Sequence, residues 1–189
     1  MNKHRGDRVT KHPRLLLPNT TGALSTVTTA VSGAGGSVDK EHTVRTGVMR
    51  TWLMVEDSLS GSYLVERALR EAALPVQLHV VPNGDHALAF LRREKPYVTA
   101  PHPDLVLLTI YLASKNGREV LAEIKQDPRL KRIPVVMWSV SARQHDVDIS
   151  YELGANAYVR KPVSLIDHCA IVKGMFEFWC RDVLLPTTA

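Results

Sequence analysis

From Thr51 onward, short runs of aliphatic and β-branched residues alternate with segments whose apolar positions recur every three or four residues. The runs predict strands over Thr51–Glu56, Val76–Val81, Asp104–Thr109, Ile133–Ser139 and Ala157–Val159. The central ones are apolar without polar alternation, as strands covered on both faces require. Between them, helices are predicted over Ser60–Ala73, Gly84–Arg93 and Gly117–Gln126, with seams such as Leu64/Ala68/Ala72 and Val120/Leu121/Ile124. Ala142–Leu153 is less cleanly amphipathic. A last helix carries Leu165, Cys169, Val172, Phe176 and Trp179 along one seam. Ser58 or Ser60 caps the first helix, and Asn116-Gly117 turns the chain into the third. Five β/α alternations imply a parallel sheet with helices on both faces and right-handed crossovers. In such a sheet, chemistry belongs at the carboxyl ends of the strands.

Residues 1–48 have a different character. Asn19–Ser37 is built from Thr, Ser, Gly, Ala and Val, and no aromatic residue precedes Trp52. Such a segment buries too little apolar area to offset the entropy of ordering it, so a flexible, disordered leader is expected. Gly33-Ala34-Gly35-Gly36 lacks the spacing and the βαβ context of a phosphate-cradling loop. Met49 stands just before the first strand and is a candidate start for the natural product.

Charge follows the same division. Of 24 basic and 19 acidic residues, eight and three fall in the first 50, which leaves sixteen of each beyond. The basic excess sits in the leader, so specific nucleic-acid binding by the folded part is not expected. Apolar runs such as Leu105–Leu108 are far short of the ~18–20 residues that cross a bilayer, and no secretory h-region follows Met1. Cys169 and Cys180 match no metal spacing, lie eleven residues apart on nearly one helix face, and suit a reducing cytoplasm as small buried hydrophobes. The eight histidines show no ligand spacing for zinc, and the absence of GxSxG, Walker A and HExxH removes the commonest hydrolase and nucleotide-binding motifs. The chain does not read as an enzyme.

Four strand ends bring polar residues to one edge: Glu56-Asp57 after the first strand, Thr109 after the third, Ser139 after the fourth, and Lys161-Pro162 after the fifth. Paired carboxylates, a hydroxyl and an ammonium suit a hydrated divalent cation beside a phosphoryl group. On Leu53–Asp57, His79–Gly84, Ala87–Arg93, Asp104–Leu108, Asn116–Ile124, Ile133–Ser139 and Ala155–Val163, the stretch 51–180 resembles the receiver domain of bacterial response regulators. Within that family it is similar to the stand-alone receivers associated with phytochrome-type histidine kinases. The resemblance implies a flavodoxin-like (βα)5 fold of sheet order 2-1-3-4-5 over residues 49–183, with a short tail at 184–189. It implies Mg2+ at Glu56 and Asp57, a switch hydroxyl at Ser139, and a phosphoryl-contacting Lys161 followed by a cis bond to Pro162. Tyr158 matches the aromatic that moves with the switch hydroxyl. It also implies partnership with a sensor histidine kinase or another signalling protein, and a homodimer through the last helix with its preceding strand and helix.

One position departs from the family. The third strand, Leu105-Val106-Leu107-Leu108, ends in Thr109 where the resemblance calls for the phosphate-accepting aspartate, and Ala113 stands where a proline is expected. The register holds, because Asn116-Gly117 follows in place. Carboxylate is anionic at neutral pH and attacks phosphorus without a base, whereas threonine needs its proton removed. A neutral hydroxyl is also a poor Mg2+ ligand, so the affinity of Glu56 and Asp57 for the cation should fall. Asp57 is a weak candidate base for Thr109. The reading is a pseudo-receiver that acts by docking and is not phosphorylated on aspartate, with Phe178 facing outward as an interface residue. Three alternatives stand beside it: a phosphorelay receiver using Thr109 or a neighbour as acceptor, a flavodoxin-like ligand binder, and nucleic-acid binding by the leader.

Overall fold

The computed structural model describes residues 48–186. The leader expected over 1–48, with its glycine-rich stretch, lies outside these residues apart from Val48, as do the last three residues of the tail. Within the described chain, the elements are β1 (Arg50–Val55), α1 (Leu59–Glu71), β2 (Val76–Val81), α2 (Gly84–Arg92), β3 (Leu105–Leu108), α3 (Gly117–Gln126), β4 (Val135–Ser139), α4 (Gln144–Glu152), β5 (Ala157–Arg160) and α5 (Leu165–Phe176). All strand pairs are parallel, in the order β2-β1-β3-β4-β5.

Strand periodicity divides the core in two. Trp52 and Met54 of β1, Leu105 and Leu107 of β3, and Val136 and Trp138 of β4 face α1 and α5. The alternate residues Leu53, Val55, Val106, Leu108, Val135 and Met137 face α2 and α3. Successive side chains of a strand point to opposite faces, so an uninterrupted apolar run serves both layers. Full burial of each such aliphatic side chain contributes about 1.5–3 kcal/mol.

Helix starts follow local chemistry. Ser58, Asn83, Asn116 and Ser164 accept backbone amide hydrogens at the N-termini of α1, α2, α3 and α5. α4 starts at Arg143 without a side-chain cap, and it buries Asp146 and Ser150 rather than an apolar seam. That is why its periodicity is weak in the sequence.

At the C-terminus the predicted seam is redrawn. Val172 and Phe176 are buried and Trp179 is packed against the same cluster, but His168, Met175 and Cys180 are buried as well, and Cys169 is only half-buried. The buried positions His168, Val172, Met175/Phe176 and Cys180 still recur every three or four residues, so the seam runs through His168 beside Cys169, and the chain then winds as a π-helix over Glu177–Asp182. Cys180 receives the Trp52 indole N–H at 3.4 Å, and burial pushes its thiol pKa up. Phe178 faces outward, 53% exposed. The cis bond implied at Lys161-Pro162 is corrected: that bond is trans, and the cis proline bond of the described chain is Lys95-Pro96. Lys161 is instead held by its own contacts, its amide donating to the Ser139 carbonyl at 2.7 Å and its ammonium pairing with Glu56.

Candidate functional site at the carboxyl edge

β1 delivers Glu56 directly after its last paired residue, and the Glu56 amide extends the ladder by donating to the Val81 carbonyl at 3.0 Å. Its side chain turns into the protein and is 4% exposed. The first turn of α1 lies on the carboxylate: a Cβ at Gly61 would stand 2.9 Å from the Glu56 carboxyl carbon. Asp57, the neighbouring acid, is exposed. The structure therefore splits the predicted carboxylate pair, one inward and one outward, as alternation at a strand end dictates.

Thr109 follows β3, its amide donating to the Val55 carbonyl at 3.2 Å. Its buried hydroxyl donates to Glu56 Oε2 at 2.8 Å. The same oxygen accepts from the Lys161 ammonium. Thr109, Glu56 and Lys161 thus come from β3, β1 and β5 to meet at one carboxylate oxygen. The carboxylate beside Thr109 is Glu56, not the Asp57 weighed from the sequence. The backbone at Thr109 is fixed from below by Gly117, where a Cβ would fall 2.0 Å from the Thr109 carbonyl oxygen.

Ser139 is buried at the end of β4, and its hydroxyl oxygen accepts the Ser141 amide at 3.1 Å. Tyr158 of β5 is half-buried and donates its hydroxyl to the Ser141 carbonyl at 3.0 Å. Both predicted switch residues therefore meet at the β4–α4 loop rather than on Thr109.

That loop belongs to a cluster that sequence reasoning missed. Asp146, in the first turn of α4 and 3% exposed, accepts from the Ser141 hydroxyl, from the Tyr111 hydroxyl at 2.9 Å, and from the Arg118 guanidinium. Tyr111 lies two residues beyond Thr109, and Arg118 opens α3. Asp146 therefore ties together the loops after β3 and β4 and the starts of α3 and α4. The Ser141 hydroxyl holds its carboxyl below the usual aspartate range, burial opposes this, and Tyr111 and Arg118 add to the lowering. No sequence signal marks Asp146, because its partners lie five to thirty-five residues away on other elements.

Mg2+ takes hard oxygen ligands in near-octahedral geometry. Here one carboxylate is committed to Lys161 and Thr109, the second faces solvent, and a hydroxyl stands in third place. Among the described residues no group of three acidic, histidine or cysteine side chains converges for a metal. As arranged, these residues do not form a divalent-cation centre. Lys161 supplies the positive charge that Glu56 requires.

Comparison with known proteins agrees with this architecture. A model of the response regulator receiver domain matches residues 52–173. The response regulator Rcp1 of Synechocystis sp. is 45% identical over 134 residues, covering 71% of this chain and 91% of Rcp1. Among solved structures, the Mn2+-bound form of Rcp1 is 43% identical with a TM-score of 0.68, covering 73% of this chain and 99% of that one. The phosphorylated cyanobacterial phytochrome response regulator RcpA is also 43% identical, with a TM-score of 0.70, covering 74% of this chain and 100% of that one.

Proposed function

The chain belongs to the response regulator receiver family, and from that premise we propose that it is a stand-alone signalling module of a two-component pathway that has given up aspartyl phosphorylation. The observation that carries this is the Thr109 hydroxyl donating to a Glu56 oxygen that already binds Lys161. A buried anion and cation satisfy each other there, and the remaining lone pairs accept the Thr109 hydroxyl and, at 3.3 Å, the Ser58 amide. A phosphoryl group entering this site would compete with Glu56 for Lys161 and would meet an un-ionised alcohol.

Glu56 is placed to take the Thr109 proton, which is the one observation favouring the alternative acceptor. The Lys161 ammonium on the same oxygen opposes it, because a proton and an ammonium compete for that oxygen. Mg2+ binding at Glu56 and Asp57 is correspondingly weak.

Function then comes from docking. Rcp1 and RcpA are named as response regulators, RcpA of a cyanobacterial phytochrome, which supports a phytochrome-type histidine kinase as the partner. Homodimerisation uses the surface of α4, β5 and α5. Support comes from the exposed side chains of Tyr151 and Phe178 and from β5 standing at the sheet edge. Among the described residues no helix is long and apolar enough to cross a membrane. The cytoplasmic setting read from the cysteines, and the receiver boundaries 49–183, belong to the same proposal.

The test is incubation with acetyl phosphate and Mg2+, or with a phosphorylated kinase, followed by intact-mass measurement. No added phosphate is expected. A hydroxylamine-sensitive label would show an acyl phosphate and overturn the reading, and a hydroxylamine-resistant label at Thr109 would establish the alternative acceptor. Sedimentation showing monomer at all concentrations would refute the dimer.

A further inference from the structure

At the opposite edge of the sheet, where β3 and β4 begin, the structure holds a cavity of about 440 Å3. That volume lies within the ~300–1,000 Å3 of small-molecule sites. Its floor is apolar, made by the buried side chains of Leu91, Leu130 and Ile133. Its walls include Pro103, Pro128 and Pro134, whose rings fix the local backbone, and Leu185 and Pro186 of the C-terminal segment also line it.

The rim carries the opposite character. Arg92, Arg93, Arg129 and Arg132 all line the opening. Arg92 pairs with Glu123 at 2.9 Å, and Arg129 with Asp127 at 3.5 Å. Among the described residues Arg93 and Arg132 form no ion pair. Arg93 projects from the C-cap of α2, where its own backbone adopts a left-handed conformation with φ 56°. The one acid of the lining, Asp104, is already committed to the Thr51 amide at 2.8 Å and to Arg50 at 3.5 Å. His102 adds a planar ring, and burial lowers its pKa, which favours the uncharged form.

A rigid apolar floor under two uncommitted guanidiniums selects for a ligand with both a flat apolar body and a compact anion. Inorganic phosphate would leave the floor uncovered, and an uncharged ring compound would leave the guanidiniums unmatched. Guanidinium presents paired donors that fit phosphate oxygens, whereas proline and aliphatic surfaces fit the face of a base. We propose that this cavity binds a nucleoside phosphate, with the base on Leu91, Leu130 and Ile133 and the phosphate between Arg93 and Arg132. No glycine-rich phosphate loop takes part, so recognition rests on side chains. The site lies at the far edge from Glu56 and Thr109 and is independent of their chemistry.

The test uses the full chain and follows backbone amide resonances during titration with AMP and GMP, with adenosine and inorganic phosphate as comparators. The expected result is saturable shifts confined to the non-proline residues of 91–93, 102–104 and 129–133 and to Leu185. Affinity should be at least about ten-fold weaker for adenosine and for phosphate alone, the loss expected when one half of the recognition is missing. The double variant Arg93→Ala/Arg132→Ala should keep its melting temperature, since both side chains are exposed, and weaken nucleotide binding by a similar factor. Absence of saturation at millimolar nucleotide, shifts centred elsewhere, phosphate binding as tightly as AMP and GMP, or undiminished binding by the double variant would each overturn the proposal.

Discussion

Thr109→Asp replaces a hydroxyl with a carboxylate at a place 2.8 Å from Glu56 Oε2. Two unit negative charges ~3 Å apart repel by about 5 kcal/mol at an effective dielectric near 20. Lys161 now faces two carboxylates instead of one, and attraction to the new one at ~4 Å returns about 4 kcal/mol by the same relation. Loss of the hydroxyl's bond to an ionised acceptor removes a further ~2 kcal/mol. The variant should therefore be less stable by about 3 kcal/mol, or roughly 10 °C in melting temperature for a domain of this size. A divalent cation would relieve the repulsion. The assay is thermal unfolding of both proteins near neutral pH, in chelator and in millimolar Mg2+, followed by exposure to acetyl phosphate. The variant should melt lower in chelator, recover with Mg2+, and gain a hydroxylamine-sensitive label as its carboxylate attacks phosphorus and acetate departs. The unaltered chain should show neither response. A variant as stable as the parent in chelator would refute the Glu56–Thr109 contact as the electrostatic centre of the site.

Other substitutions test the same architecture. Lys161→Met strands the buried Glu56 carboxylate and should cost ~3–5 kcal/mol by denaturant unfolding, with Glu56→Gln added to it recovering a large part. Asp146 has its pKa lowered by the fold, so its stabilising contribution is complete above the ordinary value near ~3.9 and is lost as pH falls through the folded value. Asp146→Asn should accordingly lose ~2 kcal/mol at neutral pH and show a shallower loss of stability below about pH 4, measured by urea unfolding across that range. Gly117→Ala drives a methyl group into the Thr109 carbonyl and should cost more than ~2 kcal/mol, with the amide resonances of Thr109 and Ile110 displaced.

The positions of the five strands along the chain were legible because the central, buried ones read as continuous apolar runs, and all five predicted strands overlap the observed ones to within two residues at either end; their order in the sheet followed from the family resemblance. Thr109 at the end of β3, where the family resemblance calls for an aspartate, was equally legible, since Asn116-Gly117 holds the register. α4 was the weakest prediction for a reason now visible: its buried face consists of Asp146 and Ser150, which no hydrophobic period detects. The π-helical turn at Glu177–Asp182 went unpredicted, because its buried Cys180 keeps the four-residue spacing from Phe176 that an α-helix would show.

The sequence by itself determined the parallel α/β architecture and the alcohol at the end of β3, because each depends on spacing along the chain. Only the tertiary structure decided that Glu56 turns inward while Asp57 faces water, that Lys161 spends its charge on Glu56, and that Asp146 fastens four segments together. Those contacts join residues 53, 105 and 35 positions apart. Their partners are chosen by how the packed strands and helices bring distant side chains to one place, and no local pattern encodes that choice.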